Sequence, residues 1–175
     1  ADAAAPAWGP DGKLAYVLKR GSDCTILVRQ ASGGIAPVSS CIGADFGRLA
    51  WLNPRALVIS DRPGVGQSYR LSLLDVETRV KRQLTVPSSG DVGDIHPVAA
   101  RDGSAVFFLR NPTVGVGGLY RVALRDGALE QLARDASRIN GFALGPGPGL
   151  ILSAQRDAEE PALWLYRPPG HWQRL

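Results

Sequence analysis

A unit of roughly 45 residues recurs four times along this chain, and that recurrence limits its folds more than any other feature. The first copy opens with Pro6-Ala7-Trp8-Gly9-Pro10-Asp11-Gly12 and runs into Lys13-Leu14-Ala15-Tyr16-Val17-Leu18. The third opens with Pro97-Val98-Ala99-Ala100-Arg101-Asp102-Gly103 and continues Ser104-Ala105-Val106-Phe107-Phe108-Leu109, so the two align without a gap. The second carries Leu49-Ala50-Trp51-Leu52-Asn53-Pro54-Arg55, and the fourth, the most divergent, Phe142-Ala143-Leu144-Gly145-Pro146 with Gly149 before Leu150. With Gly12, Arg55, Gly103 and Gly149 as the common turn position, the spacings are 43, 48 and 46 residues.

Each unit then supplies a second β-rich run, such as Thr25–Arg29 or Tyr69–Asp75, followed by a turn and a short strand ending at Val38, Leu84, Leu132 or Leu175. Strand, turn, strand, loop, strand, turn, strand in about 45 residues is the size of one four-stranded propeller blade. The 21 glycines and 13 prolines are spread along all 175 residues, as short strands joined by tight turns require. The expected fold is therefore all-β: a β-propeller of four blades with four antiparallel strands each. The single domain spans 1–175, with blades at about 6–40, 41–85, 86–133 and 134–175. A β-sandwich is the competing architecture, but it does not explain the same turn at the same place in every unit. The chain holds no methionine, which suggests a processed or excised portion of a longer product. An open arc of a larger ring, roughly six to eight blades, is then expected, with exposed blade edges inviting self-association.

Several chemistries are excluded on residue grounds. Twenty basic residues are interspersed with 16 acidic ones, so the net charge of +4 is not gathered on one face with stacking aromatics as nucleic-acid binding needs. No stretch reaches the ~20 apolar residues of a membrane-spanning helix. Two cysteines and two distant histidines are too few for a metal site. No Gly-x-Ser-x-Gly elbow accompanies His96 or His171, and no catalytic residue or cofactor is expected. Gly64-Val65-Gly66-Gln67-Ser68 and Gly115-Val116-Gly117-Gly118 lack the Lys-Ser/Thr of a phosphate loop; their equivalent placement marks a repeated hairpin. Asp91 and Asp94 miss the spacing of a calcium loop.

Cys24 and Cys41 lie 17 residues apart. Both a disulfide, worth about 3 kcal/mol by loop entropy, and two buried thiols are compatible with the sequence. A propeller's ligands approach its axis at one face. The candidate binding residues are accordingly those in the stretches leading into innermost strands: Asp45, Arg48, Asp91, Asp94, His96, Arg138 and Asn140.

The Pro-Asp-Gly turn before an apolar strand, with a Gly-x-x-x-x-Val/Leu closure (Gly33 to Val38, Gly127 to Leu132, Gly170 to Leu175), resembles the propeller repeat of the TolB type. The second and fourth units depart from it at Asn53-Pro54-Arg55 and Pro146-Gly147-Pro148-Gly149. Tyr69–Leu74, Gly93-Asp94 before His96-Pro97, and Gly115-Val116-Gly117 before Leu119-Tyr120 are similar to the propeller portion of CadC-like winged-helix transcriptional regulators. That resemblance implies a non-enzymatic, periplasmic or otherwise extracytoplasmic sensor with a protein or small-molecule ligand. Envelope scaffolds and the substrate-gating propellers of serine peptidases carry similar blades.

Overall fold

The computed structural model describes residues 2–21, 23–42, 48–133, 136–156 and 160–175. Among them every element is a strand. The first sheet joins β1 (Asp2–Trp8), β2 (Leu14–Arg20), β3 (Asp23–Arg29) and β4 (Ile35–Cys41), and the second β5 (Leu49–Trp51), β6 (Ala56–Asp61), β7 (Arg70–Asp75) and β8 (Lys81–Gln83). The third joins β9 (Gly93–Ala99), β10 (Ala105–Thr113), β11 (Val116–Ala123) and β12 (Leu129–Gln131), and the fourth β13 (Ala136–Leu144), β14 (Leu150–Arg156), β15 (Ala162–Arg167) and β16 (His171–Arg174). Each sheet is an antiparallel meander in chain order, the four-stranded blade of a β-propeller. The first strands β1, β5, β9 and β13 lie side by side from one sheet to the next, at the axial end of each blade.

A blade in the middle of such an array must be apolar on both faces, and strand alternation supplies this. Leu57 and Ile59 of β6 point to the first blade, packing with Ala15, Val17, Ile26 and Val28. Val58, between them, points to the third blade, packing with Val106 and Phe108. Leu109 of β10 then meets Leu150, Leu152 and Trp164 of the fourth. Leu57, Val58 and Ile59 are all fully buried, each worth roughly 1.5–3 kcal/mol relative to exposure.

The turns fix the register of this alternation. Gly9 N donates to Lys13 O (2.7 Å), Leu52 N to Ala56 O (2.9 Å) and Gly145 N to Gly149 O (2.8 Å), but Ala100 N donates to Ala105 O (2.9 Å). The third turn is therefore one residue longer than the first, and the gapless alignment of these two units does not survive. Asp102 holds Ser104 inside the turn by accepting from its N (3.0 Å) and Oγ (2.8 Å). As a result Phe107, not Val106, takes the place of Ala15. In the second unit Asn53 replaces the missing Asp, its Oδ1 accepting from Arg55 N (2.9 Å) and Ala56 N (2.8 Å). Cys24 and Cys41 face each other across β3 and β4, Cα atoms 5.2 Å apart, and form a disulfide on the face turned to the second blade.

Candidate functional site

One rim of the molecule carries the tight turns; at the other, the mouth, the innermost strands begin and the β6–β7 and β10–β11 loops lie. Near the mouth the innermost strands are bulged. Ala5 and Pro6 together oppose Tyr16, and His96 and Pro97 together oppose Phe108. In β13 the register slips at Asn140, between the pairs Ile139↔Ala154 and Gly141↔Ser153. Ala5 and His96 both adopt left-handed backbone, φ 51° and 55°. The following proline has no N–H to lose from the ladder, which is why a bulge accepts it there. Counted from the turns, Arg48 holds in β5's lead-in the position that Ala5 and His96 hold in β1 and β9.

The bulge at His96 turns its side chain toward a pocket of about 160 Å³ between the third and fourth blades. Ile95, Leu109 and Ile139 form its apolar wall, and His96, Asn111 and Asn140 its polar groups. Burial, and then the positive charge of Arg48, push the His96 pKa down to about 4, so the ring is neutral at physiological pH. Asn111 is 6% exposed, and its buried Oδ1 has no hydrogen-bond partner among the described residues. It packs against Gly117, where any side chain would collide with it. Asn111 belongs to the Asn-Pro step just before the Gly115–Gly118 hairpin; its counterpart in the second blade is Arg62, stacked on Tyr69 at 5.4 Å.

The other candidates separate into two groups. Asn140 reaches the pocket, and exposed Arg138 borders it, its Nε donating to Gly115 O at 2.8 Å and tying β13 to the β10–β11 loop. Asp94 instead points inward: it is fully buried, and both its oxygens accept from Arg110, at 2.6 and 2.8 Å. Its backbone stitches the second blade to the third, N–H donating to Tyr69 O (2.8 Å) and carbonyl accepting from Ser60 Oγ (2.8 Å). Gly93 pairs with Tyr69 so closely, at φ 105°, that a Cβ there would overlap the Tyr69 backbone. Asp91 is half-buried in the loop before β9, and Arg48 is exposed. Asp45 lies outside the described residues. Asp94, His96, Arg138 and Asn140 thus lie inside innermost strands rather than in the connections before them, because bulging lets those strands continue toward the mouth. Among the described residues no three His, Cys, Asp or Glu side chains gather as metal ligands would.

No protein-family model matches the chain, and no curated protein matches it. Solved structures do. TolB from Acinetobacter baumannii superposes with a TM-score of 0.83 at 19% identity, over 99% of this chain and 43% of that one. A putative TolB from Agrobacterium tumefaciens gives 0.76 at 15% identity, over 95% of this chain and 62% of that one. A puromycin-hydrolyzing peptidase from Mycobacterium tuberculosis gives 0.77 at 13%, over 99% of this chain and 28% of that one. The chain therefore has the fold of TolB-like β-propellers and spans less than two thirds of the length of these structures.

Proposed function

We propose that this chain is a non-enzymatic protein-binding propeller that takes an extended segment of its partner at the mouth between the third and fourth blades. The observation that carries this reading is the His96 bulge, which faces a neutral imidazole and two asparagine amides into one small apolar-walled pocket. At about 160 Å³ the pocket is well below the roughly 300–1,000 Å³ of sites for drug-sized ligands, so it suits one aliphatic side chain of a peptide better than a cofactor. Amides and a neutral imidazole on its rim both donate and accept, matching the alternating N–H and C=O of an extended backbone. Arg48, Arg62 and Arg138 on the same rim favour a segment with acidic residues.

The disulfide supports an extracytoplasmic setting, since such bonds persist in oxidising compartments. In that setting the sequence resemblance favours the sensor portion of a membrane-bound, CadC-like transcriptional regulator, with occupancy of the mouth read by the attached effector. Peptidases among the structural neighbours favour a second reading, the substrate gate of a serine peptidase. A coding region with an upstream winged helix supports the regulator, and one with a downstream Gly-x-Ser-x-Gly hydrolase the gate.

The binding reading is tested by selecting peptides from a displayed random library on the immobilised chain, alongside His96→Ala and Asn140→Ala variants. Enrichment of acidic-aliphatic segments on the parent chain and its loss on both variants is expected. No enrichment, or enrichment indifferent to both substitutions, overturns the proposal.

A further inference from the structure

At the turn rim, the first and third blade junctions close in different ways. In the first, Trp51 of the second blade lays its indole on Gly9 of the first blade, where an added Cβ would lie 3.2 Å from the ring carbons. Its Nε1 donates to Ala7 O at 3.0 Å, so the indole seals the junction. Counted from the turns, Leu144 of the fourth blade stands where Trp51 stands in the second, and Ala100 of the third where Gly9 stands in the first. A leucine cannot fill the space of an indole. A cavity of about 280 Å³ lies there between the third and fourth blades, walled by Phe107, Leu144, Pro148 and Leu150.

Two charges stand on its rim, both carried by the longer turn of the third blade. Arg101 reaches across the junction and donates one guanidinium N–H to Gly145 O at 3.0 Å, with no acidic partner among the described residues. Asp102 gives Oδ1 to Ser104 N and Oγ, and its Oδ2 accepts no hydrogen bond among the described residues. An apolar slot is thus bordered by one cationic and one anionic group, each with hydrogen-bonding capacity to spare.

We propose that this cavity binds a free aromatic α-amino acid, with tryptophan the best match. Its ring lies between Phe107 and Leu144, where Trp51 supplies an indole in the first junction, its carboxylate meets Arg101 and its ammonium meets Asp102. The volume lies just below the roughly 300–1,000 Å³ of drug-sized sites, which suits one ring system with a short polar tail and excludes a nucleotide. Phe107 offers the ring an aromatic neighbour. The zwitterion answers both rim charges, whereas a ligand with a single charge leaves one of them unmatched.

The test is calorimetric titration of the chain with L-tryptophan, with indolepropionate, which carries the carboxylate alone, and with tryptamine, which carries the ammonium alone. L-tryptophan should bind the parent. Leu144→Trp places a protein indole in the cavity and should abolish binding of all three probes, with an unchanged melting temperature showing that it folds. Arg101→Gln should weaken indolepropionate about tenfold and leave tryptamine unchanged, and Asp102→Asn should do the reverse, as the loss of one charge-assisted hydrogen bond implies. These two substitutions alter exposed side chains and keep hydrogen-bonding groups for Gly145 O and Ser104, so they test the site even where Leu144→Trp does not fold. No binding of L-tryptophan at millimolar concentration, binding that survives in folded Leu144→Trp, or charge variants that affect both single-charge probes alike overturns the proposal. None of these outcomes bears on peptide capture at the mouth, which lies on the opposite rim and on other residues.

Discussion

His96 shows how much one residue can carry. It is a non-glycine residue at φ 55°, and its half-buried ring lies near a guanidinium. Its pKa in the folded chain is about 4, below the 6.5 of an unperturbed histidine. Between these values the unfolded chain binds a proton that the folded chain lacks, so the His96 contribution is whole above pH 6.5 and lost as pH falls toward 4. The full shift corresponds to about 3 kcal/mol; solvent reaching the ring reduces the expected effect to about 1–2 kcal/mol. Urea unfolding at pH 7 and pH 4.5 should show the parent losing about that much more stability than His96→Gln. Equal losses in the two proteins would show that the folded state does not resist protonation of this ring. The sequence displayed His96 as a histidine-proline step beside an innermost strand. It did not display the bulge, because one extra residue in a strand is defined only against its partner strand. Asn111 escaped notice for a related reason: Asn-Pro is turn chemistry, and only the fold shows that its amide lies in a pocket.

At the scale of the element, the central strands of the third blade depend on a buried ion pair. Asp94 and Arg110 are directly paired residues of β9 and β10, and the guanidinium also lies 5.2 Å from the Tyr120 ring centre and 5.7 Å from that of Phe108. The pair raises the Arg110 pKa, chiefly through its hydrogen bonds to Asp94. A buried pair of this kind adds little over an apolar one of equal fit, yet removing one partner strands the other charge. Asp94→Ala should therefore cost about 3–5 kcal/mol in urea unfolding, and adding Arg110→Met should recover part of that loss. A single-variant cost below about 1 kcal/mol would mean that Arg110 finds water or another partner, and that the pair does not hold these strands. In the sequence, Asp91, Asp94 and the connection acids were alike as candidates. Which of them turns inward depends on Arg110, sixteen residues away, and thus on strand register. Turn length hides in the same way: Asp102-Gly103-Ser104 looks like Asp11-Gly12-Lys13, and only the face that Phe107 must present shows the extra residue.

For the whole molecule, the blade architecture was legible because each middle blade buries both faces and so writes its alternation into the sequence at every repeat. How neighbouring blades meet was less legible, since Trp8 and Trp51 align in sequence yet one is exposed and the other seals a junction. Blades that touch only their neighbours make stability a sum of blade and junction terms, as in other repeat architectures. Trp51→Ala then removes one junction term. Its expected cost is about 2–3 kcal/mol, below that of a fully buried indole because Trp51 is only half-buried. The loss should be local. In native-state hydrogen exchange, amides of β2 and β3 should lose protection, whereas those of β10 and β14, in the third and fourth blades, should keep theirs. The disulfide sharpens this contrast, because it braces the first blade internally and leaves its attachment to the second to Trp51, the apolar face around it and hydrogen bonds such as those of Lys13 to Pro54 O and Lys81 to Ser40 O. Equal loss of protection in all four blades would instead mean that the array opens as one cooperative unit, with the Gly93–Tyr69 and Asp94–Ser60 stitches passing strain from blade to blade.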